Sequence, residues 1–547
     1  MSTDVARTKG DVLLEIKDLR IDGFSDERWH EIVRGVGLTL KRGEVLGLIG
    51  ESGAGKSTVG LAAMGFARPG CRISSGTVKF DGIELTALDD EARRRLRGSR
   101  IAYVAQSAAA AFNPAHCIID QTVETAVEHR ILDRAKAVSD ARNLYARLRL
   151  PNPDNIGERY PHQVSGGQLQ RAMTAMAMSC RPDLIIFDEP TTALDVTTQV
   201  EVLAAMRDIV EQFNTAAIYI THDLAVVAQM ADRIMVLRYG KLVEEAPTRD
   251  MLRSPVEEYT KTLWAVRKLA KPDVPGDDVL LRIHQVDASY GNLLKVLDNV
   301  TVQVPRGRTV AVVGESGSGK STLARAITGL LPPTRGEIYF DGKPLPRALK
   351  ERDKDTLRRI QMIYQSADTA LNPRQRVRDI IGRPLEFYLG LKGAARDRRV
   401  AELLEHIELK PEFMNRLPGE LSGGQKQRIS IARALAAEPD LIICDEVTSA
   451  LDQIVQEGIL KLLLRLQDET KISYLFITHD IATVRAIADE IVVMHQGRVV
   501  QQGLKSRVLS PPHPAYTELL LSSVPEMDPD WLTNLLNKRS AKAEATV

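Results

Sequence analysis

Short apolar runs that end at a glycine mark two predicted strands of this chain. The runs VLGLIG (Val45 to Gly50) and VAVVG (Val310 to Gly314) are apolar at nearly every position. This pattern is typical of a parallel strand that is buried on both faces. Each run leads into a glycine-rich segment and then into helix formers, such as STLARAITGLL after the second run. The order strand, glycine-rich loop and helix is therefore predicted twice.

Four further apolar runs end in polar or charged residues. They are LIIFDE from Leu184, AIYITHD from Ala217, LIICDE from Leu441 and YLFITHD from Tyr474. In open α/β sheets, ligands bind beyond the carboxyl ends of the strands, so the residues that end these runs are candidates for a ligand site. The segment directly after each SGGQ contains good helix formers and no proline, which predicts that a helix begins there.

The chain repeats itself once. GESGAGKST at Gly50 recurs as GESGSGKST 264 residues later, and VSGGQLQR at Val164 recurs as LSGGQKQR 257 residues later. The DE and THD segments also recur after 257 residues, in the same order. Such a period is much longer than the unit of a repeat array, so two copies of one domain are predicted.

The predicted domain boundaries follow from composition. The segment KLAKPDVPGDD combines two prolines, a glycine and several charges, which is typical of an exposed linker. We therefore predict a first domain over residues 1–267, a linker over 268–278 and a second domain over 279–525. Residues 526–547 are predicted to form a C-terminal tail. From Asn537 this tail is polar without an apolar period, so we expect it to fray.

Composition and charge exclude several classes of protein. Lys and Arg number 73 against 72 Asp and Glu, and 44% of residues are hydrophobic. The hydrophobic content is typical of a globular protein. The net charge near zero argues against a protein that binds nucleic acid mainly through an overall positive charge. The four cysteines are too scattered for a CxxC site, which fits a reducing compartment. The sequence contains no apolar run that is long enough to span a membrane, and it begins without the apolar core of a signal peptide. The protein is therefore expected to stay in the cytosol after its synthesis.

The two glycine-rich loops match GxxxxGK[ST], a pattern that binds phosphate. Glycines allow backbone N–H groups to converge on phosphate oxygens, and the following helix presents its positive end. Lys56 and Lys320 are then expected to contact the β and γ phosphates. The nucleotide-binding residues predicted in these loops are Gly50, Ser52, Gly53, Gly55, Lys56, Ser57 and Thr58, and Gly314, Ser316, Gly317, Gly319, Lys320, Ser321 and Thr322.

The two acidic residues of each DE pair are expected to have different roles. A serine hydroxyl from the loop and the first carboxylate are oxygen ligands of the kind that the hard cation Mg²⁺ prefers. The second carboxylate, Glu189 or Glu446, is predicted to be the general base that orients the attacking water. The candidate metal ligands are Ser57 with Asp188 and Ser321 with Asp445.

Each of these motifs has a commoner structural meaning when it stands alone. A glycine-rich turn often only joins a strand to a helix, a DE pair is usually a solvated strand end, and a THD is usually a helix cap. Here, however, His222 lies 34 residues after Asp188, and His479 lies 34 residues after Asp445. Parallel placement in both halves favours a functional meaning.

With these motifs, the chain resembles the nucleotide-binding domains of ABC-type ATPases over nearly its whole length. The SGGQ segments are similar to the signature motif of that family, which contacts the ATP held by the opposite domain. A serine at a helix N-terminus beside two glycines is also a suitable anion site on physical grounds. The signature residues are Ser165, Gly166, Gly167 and Gln168, and Ser422, Gly423, Gly424 and Gln425.

The resemblance implies roles for further residues. It makes Gln106 and Gln365 the Q-loop glutamines, which are further Mg²⁺ ligands and catalytic residues near the water. It also makes His222 and His479 the catalytic switch histidines on the γ phosphate, and Asp195 and Asp452 the ends of the D-loops. Phe24 and Tyr290 are our candidates for stacking on adenine. Trp29 competes with Phe24, because the insertion SDERWHE makes that position ambiguous.

The fold class that the resemblance implies is α/β, with tandem P-loop NTPase domains of ABC type. Each domain would have a RecA-like parallel-sheet core, an antiparallel β part and a helical signature subdomain. The halves would pair head to tail, with each ATP between the glycine-rich Walker A loop of one half and the SGGQ of the other.

Both ATP sites are predicted to hydrolyse ATP, since neither half lacks a catalytic residue. The one difference beside the base is Pro190 against Val447.

Two elements resemble peptide importers in particular. QSAAAAFNP from Gln106 and QSADTALNP from Gln365 are similar to the Q-loop of dipeptide and oligopeptide importer ATPases. SPPHPAYTELL from Ser510 is similar to their C-terminal element, and SPVEEYTKTL from Ser254 is a degenerate copy in the first half. The resemblance implies a fused ATPase subunit of a bacterial importer for peptides or glutathione.

Such a subunit would bind ATP and Mg²⁺ at the cytoplasmic face of the inner membrane. Its partners would be two membrane permeases near Gln106 and Gln365 and, indirectly, an extracytoplasmic substrate-binding protein, with no nucleic acid. The alternative is a soluble tandem ABC ATPase that acts on ribosomes. Those proteins have a long charged helical insertion between the halves, whereas this linker is short and contains Pro272 and Pro275. An exporter ATPase is disfavoured by the importer elements.

Overall fold

The computed structural model describes residues 10–25, 27–192, 194–265, 271–291, 294–449 and 451–544. The chain divides into two compact units. One unit consists of Met1–Ala265 together with Pro525–Val547, and the other consists of Val266–Val524. Residues 268–270 of the predicted linker lie outside the described residues.

The described residues of the first unit form ten strands in two sheets. The strands are β1 (Val12–Ser25), β2 (Arg28–Lys41), β3 (Val45–Ile49), β4 (Cys71–Phe80), β5 (Ile83–Glu84), β6 (Ile101–Val104), β7 (Leu184–Asp188), β8 (Ala216–Ile220), β9 (Arg233–Arg238) and β10 (Lys241–Pro247). An antiparallel sheet has the order β2-β1-β4-β5, and a six-stranded sheet has the order β10-β9-β3-β8-β7-β6. In the second sheet only β10 runs antiparallel to its neighbour. The predicted strands β3, β7 and β8 are buried throughout, as their continuous apolar runs require.

The described residues up to Ala265 also form ten α-helices. They are α1 (Lys56–Ala62), α2 (Asp90–Leu96), α3 (Ala108–Ala111), α4 (Ile118–Glu128), α5 (Arg134–Arg147), α6 (Gly166–Met178), α7 (Val196–Phe213), α8 (Leu224–Met230), α9 (Thr248–Arg253) and α10 (Glu258–Ala265). Helices α4, α5 and α6 pack against one another. They form the predicted helical signature subdomain, so all three parts of the predicted domain are present.

The second unit repeats this plan. Its strands are β11 (Val279–Tyr290), β12 (Leu294–Pro305), β13 (Thr309–Val313), β14 (Arg335–Phe340), β15 (Lys343–Pro344), β16 (Ile360–Ile363), β17 (Leu441–Asp445), β18 (Ser473–Ile477), β19 (Glu490–His495) and β20 (Arg498–Leu504). Its sheets have the orders β12-β11-β14-β15 and β16-β17-β18-β13-β19-β20, the same topology as in the first unit. The predicted duplication of one α/β domain is therefore confirmed.

The helices of the second unit also correspond to those of the first. They are α11 (Lys320–Thr328), α12 (Lys354–Arg359), α13 (Ala367–Ala370), α14 (Val377–Leu389), α15 (Gly393–His406), α16 (Gly423–Leu435), α17 (Gln453–Thr470), α18 (Ile481–Ile487), α19 (Lys505–Val508) and α20 (Ala515–Ser522). No helix among the described residues of either unit is long and apolar enough to cross a membrane.

A ring of four charged side chains joins the two sheets of the first unit. Arg42 follows β2, Asp81 follows β4, and Arg100 and Asp183 precede β6 and β7. Both arginines contact both aspartates, with 2.7 Å between Arg100 Nε and Asp183 Oδ2. Burial alone would raise the pKa of Asp81, but hydrogen bonds from the two arginines hold it below its ordinary value. The ring therefore fixes the antiparallel sheet against the core.

Asp183→Ala is expected to destabilise the first unit by about 1–3 kcal/mol, since Arg42 is buried and would lose a charged partner. Chemical denaturation, monitored by hydrogen exchange in β6 and β7, would measure the loss in free energy of unfolding. Asp154→Ala, at an exposed position of the same unit, is the control. Equal stability of the two variants would show that the ring contributes nothing to folding.

The described part of the predicted linker is anchored rather than loose. Lys271 Nζ lies 2.7 Å from Asp489 Oδ2, and the Asp489 side chain is fully buried. Asp273 accepts a hydrogen bond from the backbone N–H of Ser506 at 2.9 Å. Residues 271–278 thus follow the surface of the second unit, because Lys271 pairs with a buried carboxylate and Asp273 is bonded to an exposed backbone N–H, contacts that composition alone did not reveal.

The C-terminal tail differs from the expectation of a frayed segment. Residues Trp531–Glu544 form a helix, α21, which belongs to the first unit. Leu532 is fully buried, and its N–H donates to Gln229 Oε1 at 3.0 Å. Gln229 Nε2 in turn donates to the carbonyl groups of Glu526 and Asp528. Apolar residues just before Asn537 anchor the helix, and the polar residues that we expected to fray continue it.

Candidate functional site

The two glycine-rich loops lie between a buried strand and a helix, as predicted. Helices α1 and α11 begin at Lys56 and Lys320, directly after Gly55 (φ 94°) and Gly319 (φ 101°). Such left-handed backbone favours glycine. Lys56 is 6% exposed, and its Nζ donates to the carbonyl oxygens of Gly50 at 2.8 Å and Glu51 at 2.9 Å. A buried ammonium at a helix N-terminus is suited to phosphate.

The predicted metal ligands lie together in each unit. Ser57 Oγ donates to Asp188 Oδ1 at 2.8 Å, and Ser321 Oγ donates to Asp445 Oδ1 at 3.0 Å. Both aspartates are buried at the carboxyl ends of β7 and β17. This set of hydroxyl and carboxylate oxygens fits a hard divalent cation such as Mg²⁺.

The candidate general bases have unusual backbone geometry. Glu189 and Glu446 have φ values of 48° and 49°, in the left-handed region that larger residues rarely adopt. Strain of this kind concentrates at functional sites. The nearly equal angles also show that the difference between Pro190 and Val447 leaves the backbone of the base unchanged.

The glutamine and the histidine that were predicted for the site converge on the candidate general base in each unit. Gln106 Nε2 donates to Glu189 Oε2 at 3.1 Å, and His222 Nδ1 lies 3.2 Å from Glu189 Oε1. The corresponding distances at Glu446 are 2.7 Å to the glutamine and 3.5 Å to the histidine. The two sites therefore share one arrangement, in which a glutamine and a histidine hold the carboxylate of a glutamate.

Electrostatics keeps this carboxylate ionised. Burial alone would raise the pKa of Glu189, but the hydrogen bond and charge of His222, with Lys56 nearby, hold it below its ordinary value. Burial likewise would lower the pKa of His222, but Glu189 raises it above its ordinary value. The pair of Glu446 and His479 shifts in the same directions for the same reasons. At neutral pH each glutamate is a carboxylate and can accept a proton.

The signature segments begin helices, as predicted. Ser165 Oγ accepts from the N–H of Gln168, and the Gln168 side chain accepts from the N–H of Ser165, so the two residues form a capping box at α6. A Cβ on Gly167 would lie 2.1 Å from Thr198, so packing against α7 requires this glycine. A Cβ on Gly166 would meet nothing within 3.8 Å. Gly166 and Ser165 are exposed, so packing within the unit does not explain them.

The same division holds at the second signature. Ser422 and Gln425 form a capping box at α16, and a Cβ on Gly424 would lie 2.5 Å from Val455. Gly423, in contrast, is exposed, and a Cβ there would have only Leu451 near it, at 3.9 Å. Each half therefore presents one exposed Ser-Gly pair at a helix N-terminus.

The aromatic candidates for adenine lie on the antiparallel sheets. Phe24 and Trp29 are cross-strand partners with ring centroids 5.2 Å apart, and both are exposed. Arg72 lies over the Trp29 ring, 4.1 Å from its centroid. In the second unit, the Tyr290 hydroxyl accepts from Arg325 in α11 at 2.9 Å. The two alternatives in the first half thus form one aromatic pair.

The D-loop aspartates have a structural role of their own. Asp195 accepts from the N–H of Thr198 at 3.0 Å and caps α7, while Asp452 accepts from the N–H of Val455 at 3.1 Å and caps α17. The alanines Ala193 and Ala450 of the ALD segments lie outside the described residues. Capping explains the aspartates without any ligand.

Sequence reasoning missed three tyrosines. Tyr103 donates to Asp188 Oδ2 at 2.5 Å, and burial together with this carboxylate raises the pKa of Tyr103. Met362 occupies the matching position of β16, so only the first unit has this contact. Tyr259 and Tyr516 contact the phosphate loops. The YT pair that both importer-like elements share is the sequence signal by which the last two could be found.

Comparison with known proteins adds family information. The ABC transporter family matches residues 33–192 and 297–449, and the family "Oligopeptide/dipeptide transporter, C-terminal region" matches residues 500–546. The glutathione import ATP-binding protein GsiA of Salmonella choleraesuis (strain SC-B67) is 37% identical over 94% of this chain and 90% of its own length. YejF of Escherichia coli (strain K12), an uncharacterized ABC transporter ATP-binding protein, is 37% identical over 93% of this chain and 99% of its own.

Solved structures also match the chain. The structure of cbiO1 from Clostridium perfringens, part of the ABC transporter complex cbiONQ, is 31% identical with a TM-score of 0.39. This match covers 42% of the present chain and 91% of that chain.

Proposed function

The chain belongs to the ATP-hydrolysing subunits of ABC transporters, and we propose that it powers the uptake of peptides or peptide-like solutes through a membrane importer. The match of residues 500–546 to the oligopeptide/dipeptide transporter region carries the importer assignment. The name of the relative GsiA, which concerns glutathione import, supports a small peptide as the solute. The same match weighs against a protein that acts on ribosomes.

Each unit supplies the groups that ATP hydrolysis needs. Lys56 and the loop N–H groups hold the β and γ phosphates, and Phe24 or Trp29 stacks on adenine. The Glu189 carboxylate accepts a proton from the attacking water, which Gln106 and His222 help to position. Lys320, Glu446, Gln365, His479 and Tyr290 act in the same way in the second unit. A bound Mg²⁺, held by the serine and aspartate oxygens, supplies charge stabilisation for the transferred phosphoryl group.

The halves bind two ATP molecules head to tail. Each nucleotide is held by the phosphate loop of one half and by the exposed Ser-Gly pair of the other half. This arrangement is supported by Gly166 and Gly423, because packing within a unit does not explain why these exposed positions are glycine. Loss of the γ phosphate removes a contact that bridges the halves, so hydrolysis reopens them.

The partners are two membrane permease subunits, which dock near Gln106 and Gln365. Each glutamine contacts the catalytic glutamate of its unit. A movement of the docked permease that displaces the glutamine therefore changes the position of the general base. An extracytoplasmic substrate-binding protein delivers the solute to the permeases. The subunit is therefore peripheral, at the cytoplasmic face of the bacterial inner membrane.

Co-expression with a permease pair from the same genome is expected to move the protein into the membrane fraction. ATP hydrolysis by the assembled complex in vesicles is expected to rise when peptide-loaded binding protein is added. Expression without the permeases is the control for non-specific membrane recovery. Recovery with ribosomes, irrespective of the permeases, would overturn the importer assignment and favour the ribosomal alternative.

A further inference from the structure

A tyrosine from a late helix of each unit reaches the start of the phosphate loop. The Tyr259 hydroxyl, in α10, accepts a hydrogen bond from the N–H of Glu51 at 3.2 Å. The Tyr516 hydroxyl, in α20, accepts one from the N–H of Glu315 at 3.0 Å. The two tyrosines lie 257 residues apart, the same offset that relates the two signatures. The contact is thus a repeated feature of both units.

The peptide group that receives the tyrosine also holds the phosphate-binding lysine. The N–H of Glu51 and the carbonyl of Gly50 belong to one planar peptide, and that carbonyl accepts from Lys56 Nζ at 2.8 Å. In the second unit, the carbonyl of Gly314 accepts from Lys320 Nζ at 2.8 Å. The tyrosine and the lysine therefore lie at opposite ends of one peptide group, and hydrogen bonds in such a chain strengthen one another.

The local backbone does not by itself fix the orientation of this peptide group. It follows Gly50 (φ 146°) and Gly314 (φ 154°), and glycine places few limits on its own backbone. A Cβ on Gly50 would lie 2.2 Å from the carbonyl oxygen of Leu237, so the residue is required there. An external hydrogen bond is then needed to fix the direction of the carbonyl that the lysine uses.

The tyrosine rings are themselves held in place by different residues in the two units. Arg238 lies 4.3 Å from the centroid of the Tyr259 ring, and His495 stacks on Tyr516 with 3.9 Å between centroids. Both partners end the strand beside the strand that leads into the phosphate loop, β9 in one unit and β19 in the other. Burial raises the pKa of Tyr259 and the Glu51 carboxylate adds to this, although the hydrogen bond from the Glu51 backbone acts in the opposite direction, so the hydroxyl keeps its proton.

We propose that Tyr259 and Tyr516 are positioning residues that orient the two phosphate-binding lysines through the shared peptide group, and so determine the ATP affinity of each half. This inference rests on the proposed role of Lys56 and Lys320. It also gives a function to the helices of the importer-like C-terminal elements, since each helix carries the tyrosine of its unit. Without the hydroxyl, the carbonyl can turn away and the ammonium loses its fixed place.

The test replaces each tyrosine by phenylalanine in the full chain, which keeps the ring and removes only the hydroxyl. Tyr259→Phe and Tyr516→Phe are each expected to weaken binding of a non-hydrolysable ATP analogue at their own site by about 3- to 10-fold, as loss of one hydrogen bond would. In the assembled transporter, KM for ATP should rise by a similar factor, while kcat at saturating ATP stays unchanged.

Matched controls separate positioning from stability. Tyr145→Phe in the first unit and Tyr474→Phe in the second unit each remove a buried tyrosine hydroxyl that bonds elsewhere, to Thr122 and to the carbonyl of Leu463. These controls are expected to keep wild-type affinity, whatever their Tm. If the control variants lost as much affinity as Tyr259→Phe and Tyr516→Phe, the effect would be one of stability and the inference would be wrong.

Lysine variants distinguish this inference from the proposed ATP site. Lys56→Ala should weaken analogue binding at the first site far more than Tyr259→Phe does, to a Kd that is still measurable at high analogue concentration. Tyr259→Phe added to Lys56→Ala should then have no further effect on that Kd, because the hydroxyl acts only through the lysine. If Lys56→Ala binds the analogue normally, the proposed ATP site is wrong. If Lys56→Ala loses binding but both tyrosine variants keep wild-type Kd and KM, the positioning role alone is overturned.

Discussion

Glutamine in place of Glu189 or Glu446 is expected to lower ATP hydrolysis at its own site by about 10²-fold or more. The substitution preserves the size of the side chain and its contacts with the Q-loop amide and the switch histidine. It removes only the carboxylate that accepts the proton. Since one unhydrolysed ATP keeps the halves closed, turnover by the coupled pair should fall much further than by half in either single variant.

Steady-state ATP hydrolysis by the assembled transporter would measure both single variants and the double variant. Glu211→Gln, exposed on α7, is the matched control and should keep wild-type activity. The similar geometry around Glu189 and Glu446 is the basis for expecting equal effects. If one single variant retained near-full activity while the other lost it, one site would be regulatory and the symmetric prediction would be wrong.

Leu532→Ala is expected to destabilise the first unit by about 2–5 kcal/mol, although residue 532 is separated in sequence from the rest of that unit by the whole second unit. Leu532 is fully buried, and the helix that carries it bonds to Gln229 in α8, the helix that follows the switch histidine. Hydrogen exchange should therefore become faster in α8 while the second unit keeps its protection. Exchange resolved by segment is needed because a chain of two units does not unfold in one step.

Lys538→Ala, at an exposed position of the same helix, is the control for this variant and should leave the exchange of α8 unchanged. Gln229→Ala provides an independent check, because it removes the side chain that bonds to Glu526, Asp528 and Leu532. Protection of α8 that is unaffected by either Leu532→Ala or Gln229→Ala would contradict a stabilising role for the tail.

The sequence predicted those parts of the fold that depend on local pattern. Strands such as β3 and β7 are continuous apolar runs that end at a glycine or a carboxylate, so their positions and their buried faces follow directly. The capping box at Ser165 is also local, since both of its partners lie within four residues. Repetition of the motifs in the same order, at offsets of 264 and 257 residues, then indicated that the whole domain occurs twice.

The sequence could not predict features that join distant segments. The contact between Tyr259 and Glu51 spans 208 residues, and the bond between Gln229 and Leu532 spans 303. The left-handed backbone of Glu189 is set by the turn after β7 and has no signature in its own residue type. The polar stretch from Asn537 predicts a frayed tail by itself, but the helix is anchored by the buried apolar residues Trp531, Leu532 and Leu535 that precede it.

The return of α21 to the first unit constrains how the gene can be divided. If the coding sequence were split within residues 268–278, the upstream product would lack α21, the helix that contains the buried Leu532 and bonds to Gln229. The downstream product would carry α21 without the surface on which it packs. Separately encoded halves would therefore both be defective at an apolar surface and prone to association. A rearranged gene that transfers residues 525–547 to the upstream product would restore two self-sufficient cassettes.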